Sequence, residues 1–149
     1  MSEALSPIIA RIEIERPVAT VWEIMTSEHT AREWLGCMSY RREVGATFYM
    51  QPDAGRRGRG DITGATHCRI VELAEPSRFA FAWFVPGTPE TMVTITLSPG
   101  DGDRTIVELT HAGWEQFPAE MVKPFHDQLK SGWSGGVLPG LKTAAEKRS

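Results

Sequence analysis

The sequence predicts an α+β helix-grip fold, in which a curved antiparallel sheet of six or seven strands wraps a long C-terminal helix, with two short helices after the first strand. Three observations lead there. A period-2 segment, Ile8 to Ile14, opens the chain and gives way at once to a helical period. Residues 40–112 then alternate apolar and polar positions between runs of turn residues, and after Gly113 a helical period returns and persists. The 149 residues are expected to form one domain, 1–149, long enough to bury a substantial core.

Each element follows from its local pattern. Ile8, Ala10, Ile12 and Ile14 alternate with Ile9, Arg11, Glu13 and Glu15, a strand with one wet face blurred at Ile9. Pro17 suits the first turn of a helix, and Val18, Val21, Trp22 and Met25 recur at i, i+3, i+4 and i+7. Thr30 and Glu33 have capping-box spacing, which opens a short second helix carrying Trp34 and Leu35, and Gly36 is placed to end it. Val44, Ala46, Phe48 and Met50 share one face of a strand, and Gln51 to Asp61 reads as loop. A further strand covers about Ala65 to Leu73, with faces the alternation leaves unassigned. Beyond the turn at Glu75-Pro76-Ser77, Phe79, Phe81, Trp83 and Val85 share a face. After Pro86-Gly87-Thr88-Pro89 come Val93, Ile95 and Leu97, then a hairpin loop from Pro99 to Asp103, then Val107, Leu109 and His111. Turns this short imply an antiparallel meander.

Phe125, Leu129, Gly132, Trp133, Gly136, Val137, Gly140, Leu141 and Ala144 form one stripe of a long C-terminal helix. Within it Gly132, Gly135, Gly136 and Gly140 each cost about 1 kcal/mol relative to Ala, and Pro139 about 3 kcal/mol, so a kink near Gly135 is expected. Glycines on the stripe either let the helix pack closely on the sheet or leave room for a ligand; the sequence leaves both open. Only this helix is long enough to cover the sheet's apolar face. A helix gripped without full collapse leaves an elongated apolar cavity beside it.

A series of weak motifs runs nearly the whole chain in order: Pro17…Val21-Trp22, Trp34, Val44-Gly45-Ala46-x-Phe48, Arg78-Phe79-x-Phe81-x-Trp83, Val93-x-Ile95-x-Leu97, Thr110-His111-x-Gly113 and Gly132-Trp133…Leu138-Pro139-x-Leu141-Lys142. This series resembles the SRPBCC (START-like, polyketide cyclase) superfamily, and within it most closely the family named after activators of the heat-shock-protein-90 ATPase. The resemblance implies a helix-grip fold with a deep hydrophobic pocket. It implies little about chemistry, because members include carriers, sensors and cyclases. Ala46, where a second glycine is common, and the Arg-Gly-rich insertion before Asp61 depart from the pattern.

Strand parity and the helical stripe place Phe48, Met50, Phe81, Trp83, Val93, Ile95, Leu109 and His111 from the sheet around the cavity, with Trp34, Phe125, Leu129 and Trp133 from the helices. Plain core packing is the competing reading for each. An inward His111 could donate to a ligand or act as an acid or base near neutral pH, against the ordinary alternative of a core histidine satisfied by a backbone carbonyl. No carboxylate is placed to pair with it: Glu13, Glu15 and Glu108 fall on outer strand faces and Asp127 lies off the stripe. His67, if inward, would meet His111. The stretch Asp53-Ala54-Gly55-Arg56-Arg57-Gly58-Arg59-Gly60-Asp61 reads as a flexible hairpin loop, or alternatively as a flap at the pocket mouth whose arginines attract an anionic head group.

Composition narrows the rest. With 16 Lys plus Arg against 19 Asp plus Glu, the net charge of −3 argues against general nucleic-acid binding. Cys37 and Cys68 have no metal or redox spacing and are expected to be reduced thiols, so neither a metal nor a cofactor is expected. The N-terminal residues lack a signal-peptide pattern and no apolar stretch reaches membrane-spanning length, which makes a cytoplasmic protein without membrane insertion the expectation. The function expected is binding of a small hydrophobic molecule, as a carrier or sensor. A cyclase, dehydratase or hydrolase using the same pocket and a chaperone-activator-like interaction module are the alternatives, with a homodimer left open.

Overall fold

A computed structural model describes residues 7–51, 53–117 and 119–147, with the side chains of residues 119–121 and 125 outside that description. In chain order the elements are β1 (Ile8–Ile14), α1 (Val18–Thr26), α2 (Glu28–Leu35), β2 (Cys37–Met38), β3 (Thr47–Met50), α3 (Ala54–Gly58), β4 (Thr66–Ala74), β5 (Arg78–Phe84), β6 (Thr91–Pro99) and β7 (Thr105–Ala112). A 3₁₀ turn (Trp114–Gln116), α4 (Ala119–Gly132), a π-helical turn (Trp133–Val137) and α5 (Leu138–Glu146) complete the chain.

The sheet has seven strands in the order β1-β7-β6-β5-β4-β3-β2, every neighbouring pair antiparallel. It curls into a half-barrel against the long C-terminal helical segment, which is the helix-grip arrangement. Because β1 and β2 lie on opposite edges, α1 and α2 must carry the chain from one edge to the other. Their apolar residues Val21, Trp22, Met25, Trp34 and Leu35 join Phe48, Phe79, Phe81, Val93, Ile95, Val107, Leu109 and Trp133 in one core. The rings of Phe48 and Phe81 meet edge to face at 5.2 Å, a favoured geometry for aromatic pairs.

Strands β6 and β7 follow the expected alternation, and β5 does so over Phe79, Phe81 and Trp83, but it ends at Phe84 and leaves Val85, expected on the same face, exposed in the turn. Elsewhere the structure departs from the sequence pattern for identifiable reasons. Helix α2 starts ahead of the expected capping box, with Ser27 at the N-cap, because the Thr30 hydroxyl donates to the Ile24 carbonyl at the end of α1 instead of capping. Gly36 ends that helix as anticipated, at φ 62° with its N–H donating to the Arg32 carbonyl. Strand β3 begins only at Thr47. Gly45 sits at φ 92° in the preceding turn, donating to the Ile70 carbonyl at 2.8 Å, and Val44 is left 58% exposed. In β4 a bulge between Ile70 and Glu72 inserts Val71 and reverses parity: Cys68 and Ile70 point inward, then Leu73 joins the core side opposite Phe79.

The C-terminal segment is interrupted where a kink was expected, but by a π-helical turn. That turn closes bonds i→i+5, so the buried side chains step from Trp133 to Leu138 and on to Leu141 and Ala145. The expected stripe through Gly136, Gly140 and Ala144 is thereby displaced from the fully buried positions: Gly136 is exposed, and Gly140 and Ala144 are half-buried. These three residues border a groove with Thr30, Glu33 and Trp34 of α2. Close packing on the sheet does not explain the glycines: a Cβ added at Gly132, Gly135 or Gly136 would meet no atom within 4 Å. No described helix is long and apolar enough to cross a membrane.

Candidate functional site

A partly open pocket of about 300 Å³ lies where the C-terminal helix meets one end of the sheet. Leu35 and Gly36 at the end of α2, Met50 of β3, Thr66 of β4, Trp83 of β5, Leu129 and Gly132 of α4, and Trp133 and Val137 of the π turn line it, with Gln51 and Arg57. Of the residues expected around a cavity, the structure brings Met50, Trp83, Leu129 and Trp133 together here. Trp34, Phe48, Phe81, Val93, Ile95, Leu109 and His111 are buried but do not border this pocket, and the Phe125 side chain lies outside the described residues. Trp34 is held elsewhere, its indole N–H donating to the Met25 carbonyl at 3.0 Å.

His111 is fully buried behind the pocket wall, and neighbouring side chains engage both of its nitrogens. The Trp133 indole N–H donates to Nδ1 at 3.1 Å, which leaves Nδ1 bare and puts the ring proton on Nε2. Nε2–H then donates to Thr91 Oγ1 at 2.7 Å, and that hydroxyl donates onward to the Trp83 carbonyl at 2.7 Å. Burial, with His126 nearby as a smaller influence, lowers the imidazole pKa to about 3, so it is neutral at physiological pH. This is a satisfied core histidine, although side chains and not a backbone carbonyl satisfy it. Its chain positions Trp133 and Trp83, two walls of the pocket. His67 does not approach it: His67 lies on the outer face of β4 between the rings of Tyr49 and Phe84, at centroid distances of 4.9 and 5.5 Å.

Gln51 opens the stretch that the sequence marks as loop, with no pattern that singles it out. It is 1% exposed. Its carboxamide nitrogen donates to the carbonyls of Asp61 and Thr63 at 3.1 and 2.8 Å, and its oxygen accepts from the Asp53 amide at 3.1 Å. One side chain thus closes the base of the 53–63 excursion. Within that excursion the Asp53 carboxylate accepts from the Arg56 amide at 3.0 Å, which caps the short helix α3 in place of a flexible hairpin. Successive helical residues diverge in direction, so Arg56 turns toward Asp61 and the Thr63 carbonyl while Arg57 reaches the pocket.

The two cysteines are free and buried. Desolvation raises the Cys37 thiol to about 12, against partial relief from Arg32 and Arg57, and raises Cys68 well above its ordinary value.

An antiparallel half-barrel closed over a C-terminal helix, with an apolar pocket at their junction, places the molecule among the helix-grip proteins of the SRPBCC superfamily. Residues 15–142 match the family described as Activator of Hsp90 ATPase homolog 1-like protein, and the chain belongs to that family. No curated protein matches the sequence. Among solved structures, protein MLL2253 from Mesorhizobium loti is similar at 19% identity and a TM-score of 0.73, over 97% of this chain and 99% of that one. CalU16 from Micromonospora echinospora is similar at 22% identity and a TM-score of 0.68, over 99% of this chain and 72% of that one. PFC0360w, an HSP90 activator from Plasmodium falciparum, is similar at 15% identity and a TM-score of 0.65, over 92% of this chain and 94% of that one. Identities this low carry the fold alone.

Proposed function

We propose that the protein binds a small hydrophobic ligand, as a carrier or sensor, in the pocket between the β3–β5 end of the sheet and the C-terminal helix. One observation supports this most: the side chains of Leu35, Met50, Trp83, Leu129, Trp133 and Val137 surround a space of about 300 Å³. Pockets of about 300–1,000 Å³ with mainly apolar walls are the usual hosts of small molecules, and this one falls at the small end. Each Å² of apolar ligand surface transferred there from water contributes about 25 cal/mol before the entropy of association is subtracted.

The test is a binding screen with aromatic polyketide-like compounds and medium-chain lipids, read by native mass spectrometry and by the fluorescence of Trp83 and Trp133. Saturable one-to-one binding that disappears in Leu129→Trp, which fills the pocket from α4, is the expected result. If no compound saturates the protein, or if Leu129→Trp binds as wild type does, the proposal falls.

A further inference from the structure

Arg57 is the one charged residue on the wall of the apolar pocket among the described residues. One of its terminal nitrogens, Nη1, donates to the Gln51 carbonyl at 2.6 Å. No described carboxylate forms an ion pair with it, whereas its neighbour Arg56 is paired with Asp61 at 4.0 Å. A guanidinium carries five N–H donors in a planar fork, so a single backbone carbonyl leaves most of this one unused. Its position is also built: Asp53 caps the helix that carries it, and the buried Gln51 carboxamide ties down both ends of that excursion. The other polar wall residues offer no charge. The Gln51 carboxamide is fully engaged by backbone groups, and Thr66 supplies a hydroxyl.

We propose that Arg57 anchors the carboxylate of an amphipathic ligand, a small aryl or medium-chain alkyl carboxylic acid whose apolar body lies against Trp83, Leu129 and Trp133. This rests on the pocket-binding reading above and names the ligand class. The planar fork matches two carboxylate oxygens, and the single cation balances a single negative charge. Half-buried at the mouth, the guanidinium keeps partial hydration, so its contribution belongs at the low end for hydrogen bonds to charged groups, about a tenfold preference.

The experiment compares matched pairs that differ only in head-group charge: 2-naphthoate against 2-naphthamide, and decanoate against decanamide, titrated calorimetrically into wild type, Arg57→Gln and Arg57→Lys. Wild type is expected to favour each acid over its amide by about tenfold, with the preference shrinking as salt rises. Arg57→Gln should bind acid and amide alike, and Arg57→Lys should keep part of the preference. Equal binding of acid and amide by wild type overturns the assignment while leaving the pocket reading intact, and so does a preference that survives in Arg57→Gln. Binding of neither member of either pair overturns the ligand class, and the pocket reading is then decided by the wider screen above. The wild-type comparison and its salt dependence stand even if a variant fails to fold.

Discussion

The His111 node predicts an acid-sensitive stability that can be worked out from the structure. In the folded chain the imidazole is neutral, with a pKa lowered by burial to about 3 from an ordinary value of 6.5. Between those values the unfolded chain takes up a proton that the native chain refuses. The stabilisation is therefore complete above about pH 6.5 and is lost as pH falls toward about 3. From about pH 7.5 to about pH 5 the ordinary histidine titrates over roughly one and a half units, a loss of about 2 kcal/mol. The geometry gives the reason. A proton on Nδ1 would face the Trp133 indole N–H, donor against donor, across a contact of 3.1 Å. Urea unfolding followed by tryptophan fluorescence, at about pH 7.5 and about pH 5, measures the loss, and His111→Gln supplies the control. Glutamine can still donate to Thr91 but leaves the indole without its acceptor, so the variant should lose about 1–3 kcal/mol at neutral pH. Its stability should then fall by about 2 kcal/mol less than wild type on acidification. If wild type and His111→Gln lose stability in parallel, the buried neutral imidazole is not the source of the acid sensitivity and the argument is refuted.

Two further outcomes follow from single positions. Gly135 is exposed and a Cβ there would meet nothing within 4 Å, so Gly135→Ala should stabilise the chain by about 1 kcal/mol, raising Tm by about 2–4 °C; a lowered Tm in a thermal melt would mean that the π turn itself requires glycine. Cys37 and Cys68, both buried with raised pKa values, should resist a disulfide reagent at about pH 8 in the native protein and react stoichiometrically in denaturant, and rapid native labelling would contradict their burial.

What could be read from the residues depended on whether one period held over the whole element. In β6 and β7 it does: Val93, Ile95 and Leu97, then Val107, Leu109 and His111, point inward at every second position, and the register pairs Val93 with His111 and Ile95 with Leu109. The faces of β4 were illegible because one inserted residue, Val71, reverses parity halfway along, and nothing in His67 to Leu73 marks which residue is extra. The C-terminal stripe failed for the same physical reason in a helix. The glycines and Pro139 announced a break, but not that the break would add a residue to one turn and move Gly136, Gly140 and Ala144 onto the α2 side.

The candidate site draws only some of its walls from repeating elements, which is why periodicity located only part of it. Trp83 and Met50 were reachable from strand parity, and Leu129 and Trp133 from the helical stripe before the π turn disturbs it. Gln51 and Arg57 belong to no repeating pattern. Gln51 matters through hydrogen bonds to backbone groups up to a dozen residues away. The choice of Arg57 over Arg56 turns on about 100° of rotation within a helix only five residues long. A packed interior repeats because it satisfies one condition, burial, at every turn or every second residue. At this pocket apolar walls, a fixed indole and one cation converge, and each is positioned by a separate local device: the Gly36 helix stop, the neutral His111 acceptor and the Asp53 cap.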